Sequence, residues 1–282
     1  MEVKMKWVKA SAPGKIILGG EHSVVYGYPA IAAVIDRRLT VKARKGKMGK
    51  GLTGLIKYGL DLMLEDGEKV EVKINSQLPI NRGLGSSAAL ATALVWAVRP
   101  ELGQKEKDNW VKKIEDFQHN QSSGVDQTVV REGGFLKYQK VGGRAGFKKV
   151  DLKISEAVLI DSGKPKESTG EMVVKVSKGK FESEFKEMGK IVDHWEVKLI
   201  SANQRLLEKI GVVGEKAKKI VREVEKIGGQ AKVCGAGGVK AGSGTILAYH
   251  SDREKLLGLI KARGYISWLV KLGGEGARYE EN

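Results

Sequence analysis

Three glycine-containing segments, far apart in the chain, hold the residues whose types could do chemistry. They read PGKIILGGEH at 13–22, GLGSSAA at 83–89 and CGAGGVKAGSG at 234–244. The second runs straight into the apolar stretch 90–98. It therefore predicts a turn that aims backbone N–H groups and a helix N-terminus at one point, which suits a phosphate. An ordinary helix capped by serine has the same sequence pattern, so this segment alone supports both interpretations.

None of the three segments fits a common nucleotide-binding motif. A Walker A loop ends in Gly-Lys-Ser or Gly-Lys-Thr, and the HRD and DFG motifs of protein kinases are absent from the sequence. The turn at 83–88 follows the linker Pro79–Arg82 and lacks a later ribose-binding acid in a clear βαβ unit. These features exclude a Rossmann dinucleotide site.

Length and composition indicate a globular protein. With 282 residues and 41% hydrophobic content, the chain can form one large domain or two ordinary ones. Its longest apolar runs fall short of the roughly 20 residues that cross a bilayer, and residues 1–8 do not resemble a secretory signal. We therefore expect a cytoplasmic protein without a membrane partner. Because Cys234 is the only cysteine, an intrachain disulfide and a multi-cysteine metal site are excluded. We expect Cys234 to be a small, buried hydrophobic residue.

The strongly basic charge raises the alternative of a nucleic-acid-binding protein. Fifty Lys and Arg against 34 Asp and Glu give a net charge of +16. The basic residues are spread along the chain and aromatics are only 6%, which is not the pattern of single-strand binders. The one dense run, 42–57, is broken by glycines and predicts a solvated loop. Anionic small substrates also suit this charge, and His119, His194 and His250 lack the spacing of zinc ligands.

Hydrophobic periodicity predicts an α+β protein. In the first half we predict strands at 5–10, 30–43 with an interruption at 36–38, 70–74 and 134–138, and helices from Ser87 to before Pro100 and at 105–119. In the second half we predict strands at 157–160, 231–234, 245–249 and 265–272, and helices within 178–210, 214–227 and 252–262. The order of the second half is compatible with helices on one face of an antiparallel sheet. The glycine-rich stretch 142–146 precedes a domain boundary.

Taken in order, the three segments resemble the signature of the GHMP kinase superfamily, and within it the mevalonate kinases are most similar. The segment 12–27 matches that family's opening almost residue for residue, and the resemblance continues through 76–89, 123–126, Thr169 and 273–276. It implies two domains, an S5-like N-terminal domain at 1–153 and a ferredoxin-like C-terminal domain at 154–282. The active site is then expected between them.

Phosphoryl transfer needs a phosphate cradle, a metal ion and a group that receives the proton of the attacking hydroxyl. The resemblance implies that Ser76 and the turn Gly83-Leu84-Gly85-Ser86-Ser87-Ala88 bind ATP, and that Ser87 and Glu115 hold Mg²⁺. It also implies that Asp126 and Lys15 are the catalytic pair. A neighbouring ammonium would lower the pKa of the alcohol, since an aspartate alone is a poor base for it. Whether Asp126 takes the proton, orients the hydroxyl or caps a helix stays open.

On the substrate side the resemblance implies contacts from Lys15, Asp126 and five further residues, which are Glu21, His22, Thr169, Gly235 and Ala236. Two departures from the family pattern concern the third glycine segment and the chain after Arg38. Val239-Lys240-Ala241 interrupts what is usually a pure glycine run, so Lys240 either adds a phosphate contact or displaces the loop. The stretch after Arg38 is short, so contacts to the nucleotide base are not carried over.

The implied function is transfer of the γ-phosphoryl group of ATP to the 5-hydroxyl of mevalonate, a step in isoprenoid precursor synthesis. One alternative is a sibling kinase that acts on phosphomevalonate or on the 3-hydroxyl of mevalonate, because the basic charge suits a more anionic substrate. The other alternative is a basic RNA-binding protein, since the S5-like fold also occurs in ribosomal proteins. Family members are often dimers, so we expect a homodimer and no nucleic-acid partner.

Overall fold

The computed structural model describes residues 6–46, 52, 54–80, 82–119, 123–142 and 144–281. Two antiparallel sheets, each with helices packed against it, make up this part of the chain. The predicted α+β class is confirmed. No helix among the described residues combines the length and the apolar character that crossing a bilayer requires.

The first sheet carries the glycine segment nearest the N-terminus. Its strands are β1 (Val8–Gly19), β2 (Ala30–Lys45), β3 (Val70–Ser76), β4 (Phe135–Val141), β5 (Arg144–Val150) and β10 (Arg278–Tyr279). The order is β10-β1-β2-β4-β5, and β3 pairs with the outer half of β2. Its helices are α1 (Gly54–Met63), α2 (Ser86–Val98), α3 (Gln104–His119) and α4 (Val125–Glu132).

The second sheet comes from the C-terminal half, and its elements follow the predicted order except for a helix at 169–177 that was not predicted. Its strands are β6 (Glu156–Asp161), β7 (Gln230–Val233), β8 (Thr245–Tyr249) and β9 (Ser267–Lys271), in the order β7-β8-β6-β9. Its helices are α5 (Thr169–Ser177), α6 (Glu182–Asp193), α7 (Ile200–Lys209), α8 (Glu215–Lys226) and α9 (Arg253–Arg263). The short β10 then crosses back to pair with β1 at Ala10 and Ser11. A domain division at 153/154 stays a prediction.

Strand β1 extends well past residue 10, where we predicted its end. It continues to Gly19, and its pairing with β2 changes register between Pro13 and Lys15 and again between Ile17 and Gly19. Such local irregularities let a strand pass a proline and a glycine without ending. Lys15 therefore lies on a strand of the sheet, between the two irregularities.

The predicted interruption of β2 at 36–38 is wrong, because the strand is continuous from Ala30 to Lys45. Its first part pairs with β4 and its part from Leu39 onward pairs with β3, so the charged residues mark a change of partner. The Arg38 guanidinium has hydrogen-bond partners within the fold: it donates to Ser11 Oγ at 2.8 Å and to the Gly276 carbonyl at 2.7 Å.

Five further elements are absent from the prediction, namely α1, α4, α5, β5 and β10. Helix α4 follows the polar turn before Asp126, and β5 occupies the glycine-rich stretch that we placed before the domain boundary. The predicted solvated loop at 42–57 is partly β2 and partly α1, and its residues 47–51 and 53 lie outside the described part. These elements are short, and pairing with a neighbour outweighs their weak local propensity.

Helix α2 is the central element of the first half. It packs against β1, β2, α1, α3 and α4, and most of its residues are buried. Alanines at 88, 89, 91 and 93 favour the helix and leave room for the close approach of these neighbours. The second glycine segment therefore opens a helix that is fixed on several sides, as a site at its N-terminus requires.

Candidate active site

A lysine and an aspartate from two different elements form an ion pair next to the GLGSSAA turn. Lys15 Nζ, on β1, lies 3.0 Å from Asp126 Oδ1, in the first turn of α4. The lysine side chain is 3% exposed and the aspartate 32%. Lys15 is thus held by the protein, whereas the Asp126 carboxylate keeps one side open to a ligand.

The turn before Asp126 is held by a tyrosine that the sequence patterns did not single out. Tyr138 Oη donates to the Ser123 carbonyl at 2.7 Å, and a Cβ on Gly124 would come within 2.7 Å of the same hydroxyl oxygen. Gly124 is the N-cap of α4, with φ 88°, and no side chain caps this helix. The alternative in which Asp126 caps the helix is therefore wrong, and its carboxylate pairs with Lys15 instead.

The GLGSSAA turn wraps around the Lys15 side chain. The Lys15 amide donates to the Leu84 carbonyl at 2.9 Å, and Lys15 Nζ lies 3.4 Å from the Gly83 carbonyl oxygen. Gly85 is the N-cap of α2 at φ 69°, and a Cβ there would meet Lys15 Cγ at 2.7 Å. The serine-cap interpretation is therefore wrong, because glycine occupies the cap and Ser86 and Ser87 begin the helix.

A buried glutamate faces the start of α2 from α3. Glu115 is 1% exposed, and Ser87 forms a hydrogen bond with its carboxyl group. Burial and the nearby negative charge of Asp126 raise the pKa of Glu115 to about 8, while the Ser87 hydrogen bond and Lys15 act in the opposite direction. Within the described residues, its Oε1 atom is buried and accepts no hydrogen bond. A buried carboxylate oxygen without a hydrogen-bond donor is stabilised by binding a cation or a proton.

A cavity of about 360 Å³ opens beside these groups. Gly83, Thr169 and Ala236, all predicted site residues, lie in its wall, as does Cys234. Lys164 and Lys166 also line it, and sequence reasoning missed them although they flank Pro165 just before the predicted Thr169. The cavity therefore joins the GLGSSAA turn, the third glycine segment and the segment 164–171.

His22 lies at the edge of this region in a neutral form. Its Nε2 is 3.0 Å from the Ala236 carbonyl oxygen, and the side chain is 6% exposed. Burial lowers its pKa to about 4, and the hydrogen bond to Ala236 only partly counteracts this. His22 therefore ties the first glycine segment to the third and carries no charge near neutral pH.

Glu21 is not brought to the cleft. Its carboxylate is 1% exposed and accepts hydrogen bonds from the Lys232 ammonium and, at 3.3 Å, from Asn203 Nδ2. A predicted contact to substrate is thus replaced by contacts inside the protein. Sequence reasoning missed Lys232, since a lysine within the apolar strand 231–234 reads as an outward-facing residue.

Two other predicted groups have local partners. Ser76 ends β3, is exposed, and its hydroxyl bonds the backbone of Leu78. The atypical Val239-Lys240-Ala241 stretch lies against the segment 165–167: the Glu167 carboxylate accepts the Lys240 amide at 3.0 Å, and Ala241 forms a bridge with Pro165. Lys240 itself is exposed, and its predicted phosphate contact stays a prediction. Cys234 is buried as expected.

Known proteins resemble this chain over nearly its whole length. Residues 53–134 match the profile of the GHMP kinases N terminal domain. A mevalonate kinase of Thermococcus sibiricus is 34% identical, with 97% of this chain and 98% of that protein covered. One from Pyrococcus horikoshii is 32% identical, with 98% and 99% covered.

Solved structures agree with the sequence relatives. A crystal structure of a mevalonate kinase superposes with a TM-score of 0.77 at 25% identity, covering 95% of this chain and 99% of that one. The Methanococcus jannaschii mevalonate kinase has a TM-score of 0.76 at 24% identity, covering 97% and 100%, and shows the shared fold. With relatives above 30% identity that match end to end, the chain belongs to the mevalonate kinase family of the GHMP kinases.

Proposed function

We propose that this protein transfers the γ-phosphoryl group of ATP to the 5-hydroxyl of mevalonate. The observation that carries the proposal is the juxtaposition of the Lys15–Asp126 pair with Glu115 and the N-terminus of α2. Curated relatives that match over nearly their full length are named mevalonate kinase, and a structural neighbour is a Leishmania major mevalonate kinase in complex with R-mevalonate. Phosphoryl transfer relies on positioning and charge stabilisation, which these groups can supply.

The first turn of α2 is suited to hold the triphosphate. Its first backbone N–H groups have no partner within the helix, and the helix dipole adds partial positive charge at the same point. Gly83 and Gly85, both with positive φ, form the turn that precedes this N-terminus, and Gly83 lies in the cavity wall. Lys15, packed against Gly85, places an ammonium at the same end.

Glu115 and Ser87 fit a magnesium site. Mg²⁺ in phosphoryl-transfer enzymes takes one or two protein oxygens and several phosphate or water oxygens. The unpartnered Glu115 Oε1 and the adjacent Ser87 hydroxyl match this donor set, and a cation would favour the ionised form of Glu115. When bound, the ion would neutralise charge on the phosphate oxygens and orient them.

Asp126 would receive the proton of the attacking hydroxyl. The alcohol oxygen then forms a bond to the γ-phosphorus, and the bond between that phosphorus and the β,γ-bridging oxygen breaks to release ADP. Lys15 stabilises the charge that develops on the alcohol oxygen, because its ammonium lies 3.0 Å from Asp126. The partial exposure of Asp126 leaves room for the hydroxyl to approach.

The cavity wall matches an anionic acceptor. Lys164 and Lys166 supply positive charge for a carboxylate, and Thr169 contributes a hydroxyl at the start of α5. Two carboxylates, Glu167 and Glu171, also line the cavity; Glu167 accepts a hydrogen bond from the Lys240 amide and Glu171 from the Ser168 amide. Neutral His22 shapes the wall through its bond to Ala236 and offers no charge of its own. The same lysines favour the second candidate, a sibling kinase that accepts phosphomevalonate or phosphorylates the 3-hydroxyl of mevalonate.

A coupled assay of ADP release, run with mevalonate, phosphomevalonate, galactose and homoserine, separates these candidates. We expect turnover with mevalonate and a phosphorus–carbon coupling to C5 in the NMR spectrum of the product. Turnover with phosphomevalonate alone, or a product phosphorylated at C3, would replace the first candidate by the second. The expected homodimer is checked separately by light scattering.

A further inference from the structure

A buried lysine–glutamate pair behind the cleft connects the two sheets. Lys232 lies on β7 of the second sheet, and Glu21 follows β1 of the first; their side chains are 0% and 1% exposed. The Lys232 ammonium donates to the Glu21 carboxylate and, at 3.0 Å, to the Ile17 carbonyl. Asn203, on α7, donates to the other Glu21 carboxylate oxygen at 3.3 Å. Both charged groups are therefore paired and hydrogen-bonded inside the protein.

Each end of this pair continues into a segment of the active site. Strand β7 leads directly into the segment Cys234–Ala236, of which Cys234 and Ala236 line the cavity together with Gly83. The Cys234 carbonyl oxygen lies so close to Gly83 that a Cβ on that glycine would be 2.7 Å away. On the other side, Glu21 precedes His22, whose ring bonds the Ala236 carbonyl.

The backbone at His22 shows that this arrangement is constrained. His22 has φ 61° and ψ −50°, a positive-φ conformation that residues with a side chain rarely adopt and that surrounding contacts must hold in place. The contacts on either side are the Glu21–Lys232 pair and the His22–Ala236 hydrogen bond. Since Ile17 is two residues after Lys15, the Lys232 bond to its carbonyl also reaches the strand that carries the catalytic lysine.

A buried ion pair contributes little net stability, because removing both charges from water offsets their attraction. Its distinctive property is geometric specificity: each buried charge is stabilised only when its partner lies at one particular position. We propose that Lys232 and Glu21 are positioning residues, which hold Cys234–Ala236 against the segment 15–22 and so set the acceptor side of the cleft. Neither touches the acceptor, so Glu21 acts through Lys232. The inference rests on the proposed function only for the identity of the acceptor.

The test is a double-mutant cycle of Glu21→Gln, Lys232→Met and the double variant. Misplacing a wall of the site by a fraction of an ångström raises the KM for the acceptor by roughly ten- to a hundredfold in each single variant. The KM for ATP is expected to change less, because the hydrogen bond from the Lys15 amide to the Leu84 carbonyl also holds the GLGSSAA turn. The double variant is expected to be no worse than the more affected single variant.

A matched control comes from the Arg99–Glu68 pair, at the far end of α2 from Ser86. Glu68→Gln removes one charge from a partly buried pair and is expected to lower the melting temperature without changing the KM for the acceptor. Lys232→Met leaves Glu21 unpaired, and this variant could fail to fold. In that case the KM values of Glu21→Gln and of the double variant still test the positioning role. Equal losses for acceptor and ATP, or fully multiplicative effects in the double variant, overturn the positioning role.

Hydrogen exchange gives a readout that needs no substrate. Glu21→Gln is expected to speed exchange of the amides of Cys234–Ala236 selectively, compared with Glu68→Gln. Unchanged exchange there refutes the inference even if the wild-type protein phosphorylates mevalonate. Faster exchange in a protein that does not phosphorylate mevalonate refutes the proposed function and leaves the inference standing.

Discussion

The first glycine segment contributes one residue to each of two lysine–carboxylate pairs, Lys15 to one and Glu21 to the other. The two pairs differ in their access to solvent. In the open pair, Lys15–Asp126, the carboxylate is 32% exposed; in the sealed pair, Lys232–Glu21, both side chains are at or below 1%. A carboxylate that meets a substrate hydroxyl must be reachable, whereas one that only holds the protein together is best fully bonded. In the proposed function, the same residue types thus serve chemistry in one place and geometry in the other.

The largest expected effect comes from the open pair. Asp126→Asn keeps the shape of the side chain but removes its ability to accept a proton, so turnover is expected to fall about 10²-fold or more. Steady-state kinetics measure the loss, and calorimetry with a non-hydrolysable ATP analogue is expected to show retained binding.

The control for this variant is Asp193→Asn, which removes a half-exposed carboxylate paired with Lys137 on the surface. It is expected to behave as wild type. Turnover near the wild-type rate in Asp126→Asn would refute the catalytic role, and the two pairs would then no longer differ in function.

The second prediction concerns Glu115, which adjoins the open pair. Its pKa is raised from an ordinary 4.5 to about 8, so the folded protein binds a proton that the unfolded chain releases. Without divalent cations, this group makes stability fall as pH rises from about 4.5 to about 8, by at most about 1.4 kcal/mol per pH unit. Mg²⁺ is expected to restore stability near the upper end of this range.

Urea unfolding at several pH values, with Mg²⁺ and with a chelator, measures this effect. Glu115→Gln is expected to flatten the pH dependence and to abolish the stabilisation by Mg²⁺. Glu101→Gln, which removes an exposed carboxylate that pairs with Arg99, serves as the control. An undiminished response to Mg²⁺ in Glu115→Gln would contradict the metal-binding role.

The third prediction tests how the open pair is supported. Gly85→Ala places a side chain at φ 69°, which costs about 1–2 kcal/mol of stability, and puts its Cβ against Lys15. Turnover is expected to fall along with stability, because Lys15 must move.

Gly67→Ala is the matched control, since that glycine has φ 81° and a Cβ added to it would meet no atom within 4 Å. It is expected to lose similar stability and to keep its turnover. Equal activity of the two variants would show that the contact between Gly85 and Lys15 is not needed to place the ammonium.

The smallest effect concerns the histidine beside the sealed pair. The pKa of His22 is lowered to about 4 by burial, so between about 4 and 6.5 the unfolded chain binds a proton that the folded protein excludes. Stability is therefore lost as pH falls through this window, by at most about 1.4 kcal/mol per pH unit.

His22→Gln, which can still donate to the Ala236 carbonyl, is expected to reduce this loss in urea unfolding experiments. Saturating Mg²⁺ should be present, because Glu115 in the metal-free protein acts in the opposite direction over part of the same range. An unchanged acid-side slope would mean that His22 is protonated in the folded protein.

Local patterns were sufficient wherever an element is long or strongly periodic. Helix α2, helix α3 and the four strands of the second sheet follow from apolar spacing and from turn residues. Patterns failed at Asp36–Arg38, where β2 changes partner without ending, and at β5, whose exposed residues show no alternation. In both places a neighbouring strand supplies hydrogen bonds that the local sequence does not encode.

For the site, residue types predicted a phosphate turn, and the family resemblance predicted a catalytic aspartate and a lysine beside it. The sequence could not distinguish the environment of Glu21 from that of Asp126, because it does not show whether an acidic side chain lies in a cleft or in the protein interior. Lys232, Tyr138 and the cleft lysines are likewise defined by partners far along the chain. Which charges are open and which are sealed depends on burial, and burial is a property of the assembled sheets.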